Sequence, residues 1–205
     1  NLSFELGEYN ERVQLIIDPT LVFATYCGAV SDNFGMSATY GYDGTAYNAG
    51  MVYGNDYPTP DGNAYDVNSN MTVGDVGVAT TDAFISKYSS DGQTMLWSTF
   101  FGGGDNTQGT DVPHSLICDR NNNIYAYGVT SSQDFPVVNG FQNAHAGGDP
   151  LSIMFNGTDF GNTGTDIFVA KFSENGQNLM GSTYVGGAGN DGVNYLISGG
   201  NYTSV

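Results

Sequence analysis

The sequence predicts an all-β protein built from a repeated unit of about four short antiparallel strands, and three observations predict it. Gly supplies 30 of the 205 residues, aromatic residues reach 13% and charged residues only 12%. That is about twice the usual glycine share and half the usual charge. It suits a chain of short strands joined by tight turns. Second, Asp82-Ala-Phe-Ile-Ser-Lys-Tyr-Ser-Ser-Asp-Gly92 returns 84 residues later as Asp166-Ile-Phe-Val-Ala-Lys-Phe-Ser-Glu-Asn-Gly176, a period long enough for a whole supersecondary unit. Third, these stretches alternate with period two and are rich in β-branched and aromatic residues. No stretch of twelve residues carries a helical stripe.

Taken in chain order, residues 1–20 stand apart. Three of the four Glu (Glu5, Glu8, Glu11) fall among the first twelve positions, and Val13-Gln-Leu-Ile-Ile-Asp-Pro19 closes the segment. Leu21-Val-Phe-Ala-Thr-Tyr-Cys-Gly28 is the first copy of an element that returns as Leu96-Trp-Ser-Thr-Phe-Phe-Gly-Gly103 and Met180-Gly-Ser-Thr-Tyr-Val-Gly-Gly187, with Thr25, Thr99 and Thr183 in register. Asp43-Gly-Thr-Ala-Tyr-Asn-Ala-Gly50 with Asp56-Tyr-Pro58 matches Asn121-Asn-Asn-Ile-Tyr-Ala-Tyr-Gly128 with Asp134-Phe-Pro136, each position 78 residues on. The offsets grow from 74 to 84 along the chain, so the extra residues belong to loops between constant elements. The best copy reads as strands over 82–88, 96–101, 114–118 and 124–130. Ser89–Gly92 and Ser173–Gly176 supply turns. The predicted organisation is an upstream junction at 1–20, then repeats over approximately 21–81, 82–165 (with 137–165 as an insertion) and 166–205 in part.

Four antiparallel strands per repeat, apolar on both faces, is the arithmetic of a β-propeller blade. The three motifs in this order resemble the SBBP family of bacterial β-propeller repeats, from about Leu21 to about Gly189. Val13–Pro19 resembles the end of a domain often found ahead of such repeats. The chain departs from the family in the long connection Val137–Thr165 and after Asn190, where Tyr195–Val205 does not continue the expected hairpin. Propellers close with about four to eight blades, whereas this chain supplies about two and a half repeats. It therefore reads as an incomplete ring, a segment of a larger protein. The absence of an initiator Met or a basic and apolar leader fits a mature or excised segment.

Charge excludes a class of partner. Four Lys+Arg against 21 Asp+Glu give a net charge of −17, which repels nucleic acid and anionic lipid. No apolar run reaches the ~20 residues of a membrane span. Cys27 and Cys118 have neither zinc nor redox spacing and read as small buried hydrophobes, with a disulfide between them as the alternative.

The loop after each Gly-Gly pair is acidic: Asp32-Asn33, Asp105-Asn106 with Asp111, and Asn190-Asp191. Oxygen ligands on glycine-rich turns suit calcium; the competing reading is turn chemistry. Asp105, Asn106, Asp111, Asn190 and Asp191 are the candidate metal ligands. Asp119-Arg-Asn-Asn-Asn123 has calcium-loop spacing but lacks the glycine and the closing Glu, so a hairpin turn is expected there. Lys87 and Lys171 share a repeat position, which points to pairing with a loop carboxylate or to snorkelling. Tyr26, Trp97, Phe100 and Tyr184 are read as core aromatics. His114 and His145 have no repeat partner. Asn70, Asn156 and Asn201 open glycosylation patterns. No catalytic signature is present.

The expected function is a non-catalytic extracellular or cell-surface scaffold or adhesion segment. The resemblance implies a large secreted protein, in some bacteria cargo of the type IX secretion system linked to gliding or attachment. Implied partners are other blades of the same chain, secretion machinery, surface proteins or glycans. The alternative is a carbohydrate-binding, carbohydrate-active or proteolytic protein with its site in the insertions, where Asp149 and Asp159 are the acids; a glycosidase needs two such carboxyls about 5–9.5 Å apart.

Overall fold

A computed structural model describes residues 7–10, 12–14, 21–60, 62–69, 81–103, 109–149, 154–155, 158–159, 164–192, 195–198 and 201–204. Among these there are only strands and turns. The strands are β1 (Asn33–Tyr40), β2 (Ala46–Val52), β3 (Asp82–Tyr88), β4 (Met95–Phe101), β5 (Asp111–Cys118) and β6 (Ile124–Thr130). They continue with β7 (Met154–Phe155), β8 (Thr158–Asp159), β9 (Asp166–Phe172), β10 (Leu179–Val185), β11 (Tyr195–Ser198) and β12 (Asn201–Ser204). Two four-stranded antiparallel sheets hold the fold, in the orders β1-β2-β3-β4 and β10-β9-β6-β5. Two two-stranded hairpins, β7-β8 and β11-β12, complete the strands.

The strands over 82–88 and 124–130 fall where the alternation places them, but the sheets divide the chain differently from the repeat. The strands expected to form one unit, β3 to β6, are shared between two sheets. Each sheet takes the last two strands of one sequence repeat and the first two of the copy after it. Long links (53–81 and 131–165) carry the chain back so that β2 pairs with β3 and β6 with β9. A period fixes the length of a unit and leaves its starting point open; long-range pairing sets the start.

The sheets stack by unlike faces. Tyr47, Ala49, Ala83, Ile85, Trp97 and Phe101 of the first sheet form one buried core with Leu116, Ile124, Ala126, Phe168, Ala170 and Phe172 of the second. Phe101 meets Phe168 and Phe172 edge-on at centroid separations of 5.6 and 5.1 Å, a favoured aromatic geometry. The opposite face of the first sheet is covered by its own Asp-Tyr-Pro link: Tyr57 lies 4.1 Å from Phe84 and 6.4 Å from Phe100. The second sheet repeats this wedge. Phe135, from Asp-Phe-Pro, stacks on Phe168 at 4.8 Å and meets Tyr184 at 5.9 Å. By repeat position, then, the Phe84 face of the first sheet is the Phe168 face of the second, and the assembly is head-to-tail.

One glycine at the contact is dictated by space as well as by φ. Gly176 has φ +69°, and a Cβ there would lie 2.6 Å from the Trp97 ring. Gly92, its repeat equivalent, has φ +67° and lies under the ring of Phe23 in the same way. Gly176→Ala is expected to cost about 2 kcal/mol, from left-handed strain plus displacement of the indole. Gly44, at φ +82° with nothing closer than Ser90 at 3.6 Å, bears the conformational term alone, about 1 kcal/mol. Urea unfolding of the two alanine variants checks the difference.

Two expectations are corrected. Leu21–Gly28 is not a strand, and Tyr26, expected in the core, is fully exposed. Cys27 is exposed as well, while Cys118 is buried; both are free thiols. The segment has the residues of an outer strand, but among the described residues it has no neighbouring strand to pair with. Phe23 alone keeps the packing role that Trp97 has one unit later. The links also guard the sheet edges, which would otherwise template foreign strands. Thr99 on β4 exchanges bonds with Asp66, whose carbonyl also takes the Phe100 N–H at 3.0 Å. Thr183 on β10 does the same with Gln142, whose carbonyl takes the Tyr184 N–H at 3.2 Å.

Candidate functional site

The acidic loops form a repeated device at one end of each sheet. Asp111, at the start of β5, is wholly buried; its Oδ2 accepts from Gly103 N at 3.0 Å and Ser132 Oγ at 2.8 Å, and its N–H donates to Thr81 O at 2.9 Å. Asp191 does likewise one unit on: Oδ2 accepts from Gly187 N at 2.7 Å, and its N–H donates to Thr165 O at 2.7 Å. Each faces a second carboxylate across a glycine. A Cβ on Gly102 would lie 2.6 Å from Asp82 Oδ1 and 2.7 Å from Asp111 Oδ2; on Gly186 it would lie 2.3 Å from Asp166 Oδ1 and 3.0 Å from Asp191 Oδ2.

Of the expected metal ligands, Asp105 and Asn106 lie outside the described residues. Asp111 is separated from Asn190 and Asp191, which belong to the next unit. Asn190 braces a loop, accepting from Thr165 N at 2.9 Å and donating to Asp149 O at 3.1 Å. Asp82 and Asp166 were not among the candidates, although their shared repeat position marks them. Among the described residues no group of three or more His, Cys, Asp or Glu is arranged to hold a metal ion.

Burial of two acids together has a consequence for pH. Burial pushes the Asp111 carboxyl up to about 7, only partly opposed by its hydrogen-bond donors, and the charge of Asp134 adds to the rise. The folded protein thus keeps a proton that the unfolded chain releases near pH 4. Stability associated with this group is present below pH 4 and is lost as pH rises to about 7. Asp111→Asn keeps the acceptor for Gly103 and Ser132 and removes the titration. The variant is expected to match the parent near pH 4 and to exceed it above pH 7 by on the order of 3 kcal/mol. Urea melts at the two pH values measure the difference.

The two lysines of the repeat do pair with turn carboxylates. Lys87 is buried on the sheet-to-sheet face. Its Nζ contacts Glu174 from the next sheet's turn, Asp43 at 3.4 Å, and the Tyr47 ring at 5.3 Å from the centroid. Burial pulls its pKa down, but Glu174 and Tyr47 more than offset this and hold it above the ordinary lysine range. Trp97 Nε1 donates to Glu174 O at 3.0 Å beside it. Lys171 repeats half the arrangement: Nζ lies 3.4 Å from Asp119 and 4.7 Å from the Tyr125 centroid, on an open face.

That open face is the outer side of the second sheet. Ser115, Ile117, Tyr125, Tyr127 and Val169 line a shallow apolar groove. Asp119–Asn123 is the hairpin turn expected, its Asp119 Oδ1 accepting from Asn121 N and Asn123 N at 2.9 Å each. Trp97, Phe100 and Tyr184 are buried as expected. His114 is exposed, and His145 rests edge-on to Tyr184 at 5.8 Å. Asn70 and Asn156 and the Asp159 side chain lie outside the described residues. Compared with known proteins, the chain matches no family model, and no curated protein matches it either.

Proposed function

We propose that this chain is a non-catalytic, extracellular or cell-surface scaffold segment of a larger secreted β-propeller protein, serving attachment. The observation that carries the reading is the head-to-tail stacking of two sheets with the same wedge, the same acid pair and the same lysine. Such contacts generate rings or rows when repeated. Units at both ends are implied: Phe23 occupies the Trp97 role for a sheet before the first, and the second sheet has a free outer face. Both described acid pairs are engaged with loop backbone, as bracing requires. The strong acidity suits an exposed protein in water. Export by a type IX system rests on the resemblance of the repeat motifs alone.

The test is surface labelling of the source cells with an antibody raised against this chain. Intact cells should stain, and deletion of the segment should weaken attachment to a solid support. Staining confined to permeabilised cells would contradict the proposal.

A further inference from the structure

We infer that the carboxylate pairs Asp82–Asp111 and Asp166–Asp191 are two calcium sites. Asp111 and Asp191 come from the acidic loops; the second ligand of each pair is the Asp that opens β3 or β9. The first pair joins the two sheets, since β3 belongs to one and β5, opened by Asp111, to the other.

The chain buries these charges without meeting them. Asp111 and Asp166 are 0% exposed and Asp82 is 2%. Asp166 Oδ2 accepts from Ala146 N at 2.7 Å and Gln142 Nε2 at 3.3 Å, but among the described residues its Oδ1 is buried without a donor. In the first pair the orphaned atom is Asp111 Oδ1, while Gly103 and Ser132 hold Oδ2. The ion pairs of the described residues engage Lys87 with Asp43 and Glu174, and Lys171 with Asp119. Neither Asp166 nor Asp191 takes a Lys or Arg among those residues. Buried carboxylates persist when they are paired or bind a metal. A proton neutralises one acid of a pair; a divalent cation neutralises both.

Space and donor chemistry select the cation. The orphaned Asp166 Oδ1 faces Asp191 Oδ2 across Gly186, at 2.3 and 3.0 Å from the point a Cβ would take. Asp82 Oδ1 and Asp111 Oδ2 lie 2.6 and 2.7 Å from the same point on Gly102. Asp82 and Gly102 recur as Asp166 and Gly186, each 84 residues on. Calcium binds oxygen at about 2.3–2.6 Å, so each gap has the dimensions one ion bridges. Any side chain larger than glycine would fill it. Two carboxylates supply hard oxygen donors and match the ion's charge, and backbone carbonyls and water complete a calcium shell of about six to eight oxygens. Magnesium keeps several waters of its own and suits a more open site.

The experiment titrates calcium chloride, and separately magnesium chloride, into the EDTA-treated and dialysed 205-residue chain by calorimetry in physiological salt. Two saturable calcium sites per chain are expected, with dissociation constants on the order of 0.1–1 mM, as in extracellular modules, and weaker binding of magnesium. Asp166→Asn should remove one site and leave the other, and Asp82→Asn should do the converse. Asp191→Asn, a change in the loop rather than at the buried strand end, should repeat the loss seen with Asp166→Asn even where that variant folds poorly. Asp91→Asn, which removes an exposed turn acid, should leave both sites. Calcium should also raise the urea midpoint of the parent and raise it less in each single-site variant. An absence of saturable binding, as for pairs that only share a proton, would overturn the inference. So would binding that all four variants leave alike, the sign of diffuse attraction to an acidic surface. Neither result bears on surface labelling of cells, so the scaffold reading is tested separately.

Discussion

Phe168→Ala is expected to cost the fold about 4 kcal/mol. Phe168 is fully buried at the centre of the second sheet's inner face. It touches Phe101 across the sheet-to-sheet contact and Phe135 in the wedge. Its ring also fills the space over Gly128, where a Cβ would lie 2.6 Å from Cζ and 2.1 Å from Val112 O. The cavity cannot collapse readily, because the backbone of β6 is already held close on one side and the stacked ring of Phe135 on the other. Loss of both the transferred surface and the contacts around it sets the size of the effect. Equilibrium unfolding in urea gives the value, and a loss under about 1 kcal/mol would mean that the sheets do not meet through this ring.

Lys87→Met is expected to cost about 2–3 kcal/mol, while Lys171→Met at the same repeat position should leave the unfolding curve close to unchanged. Methionine fills the aliphatic volume, so the difference reports the ammonium group. Lys87 is 3% exposed between Asp43 and Glu174, two acids left unpaired by the change. Removing one partner of a buried ion pair is costly because the remaining charge stays poorly solvated. Glu174 is half exposed and can rehydrate, which keeps the cost at the lower end of the range. Lys171 has water on one side, and exposed pairs contribute little. Comparable losses for the two variants would show that burial does not distinguish the sites.

Much of this architecture could be read from residues alone. Alternation placed β3, β6 and β9, and the shared positions of Lys87 and Lys171 pointed to turn carboxylates before any geometry was known. The grouping of strands into sheets could not be read, because links 53–81 and 131–165 return the chain across distances that no local pattern encodes. Tyr26 is exposed against expectation for a related reason. Its equivalence to Phe100 in the repeat is real, but a strand position is buried only when its neighbours are present. An Asp before a strand reads as turn chemistry, so Asp82 and Asp166 differ from the other acids in sequence only by their recurrence 84 residues apart.

Trp97 is the single tryptophan of the chain, and it sits in the contact between the sheets, 4% exposed, over Gly176 and bonded through Nε1 to Glu174 O. Its fluorescence therefore reports directly on head-to-tail stacking. Blue-shifted emission is expected, weakly quenched by acrylamide, perturbed by Gly176→Ala and unaffected by Gly44→Ala. Emission at the wavelength of indole in water, freely quenched in the folded protein, would contradict it.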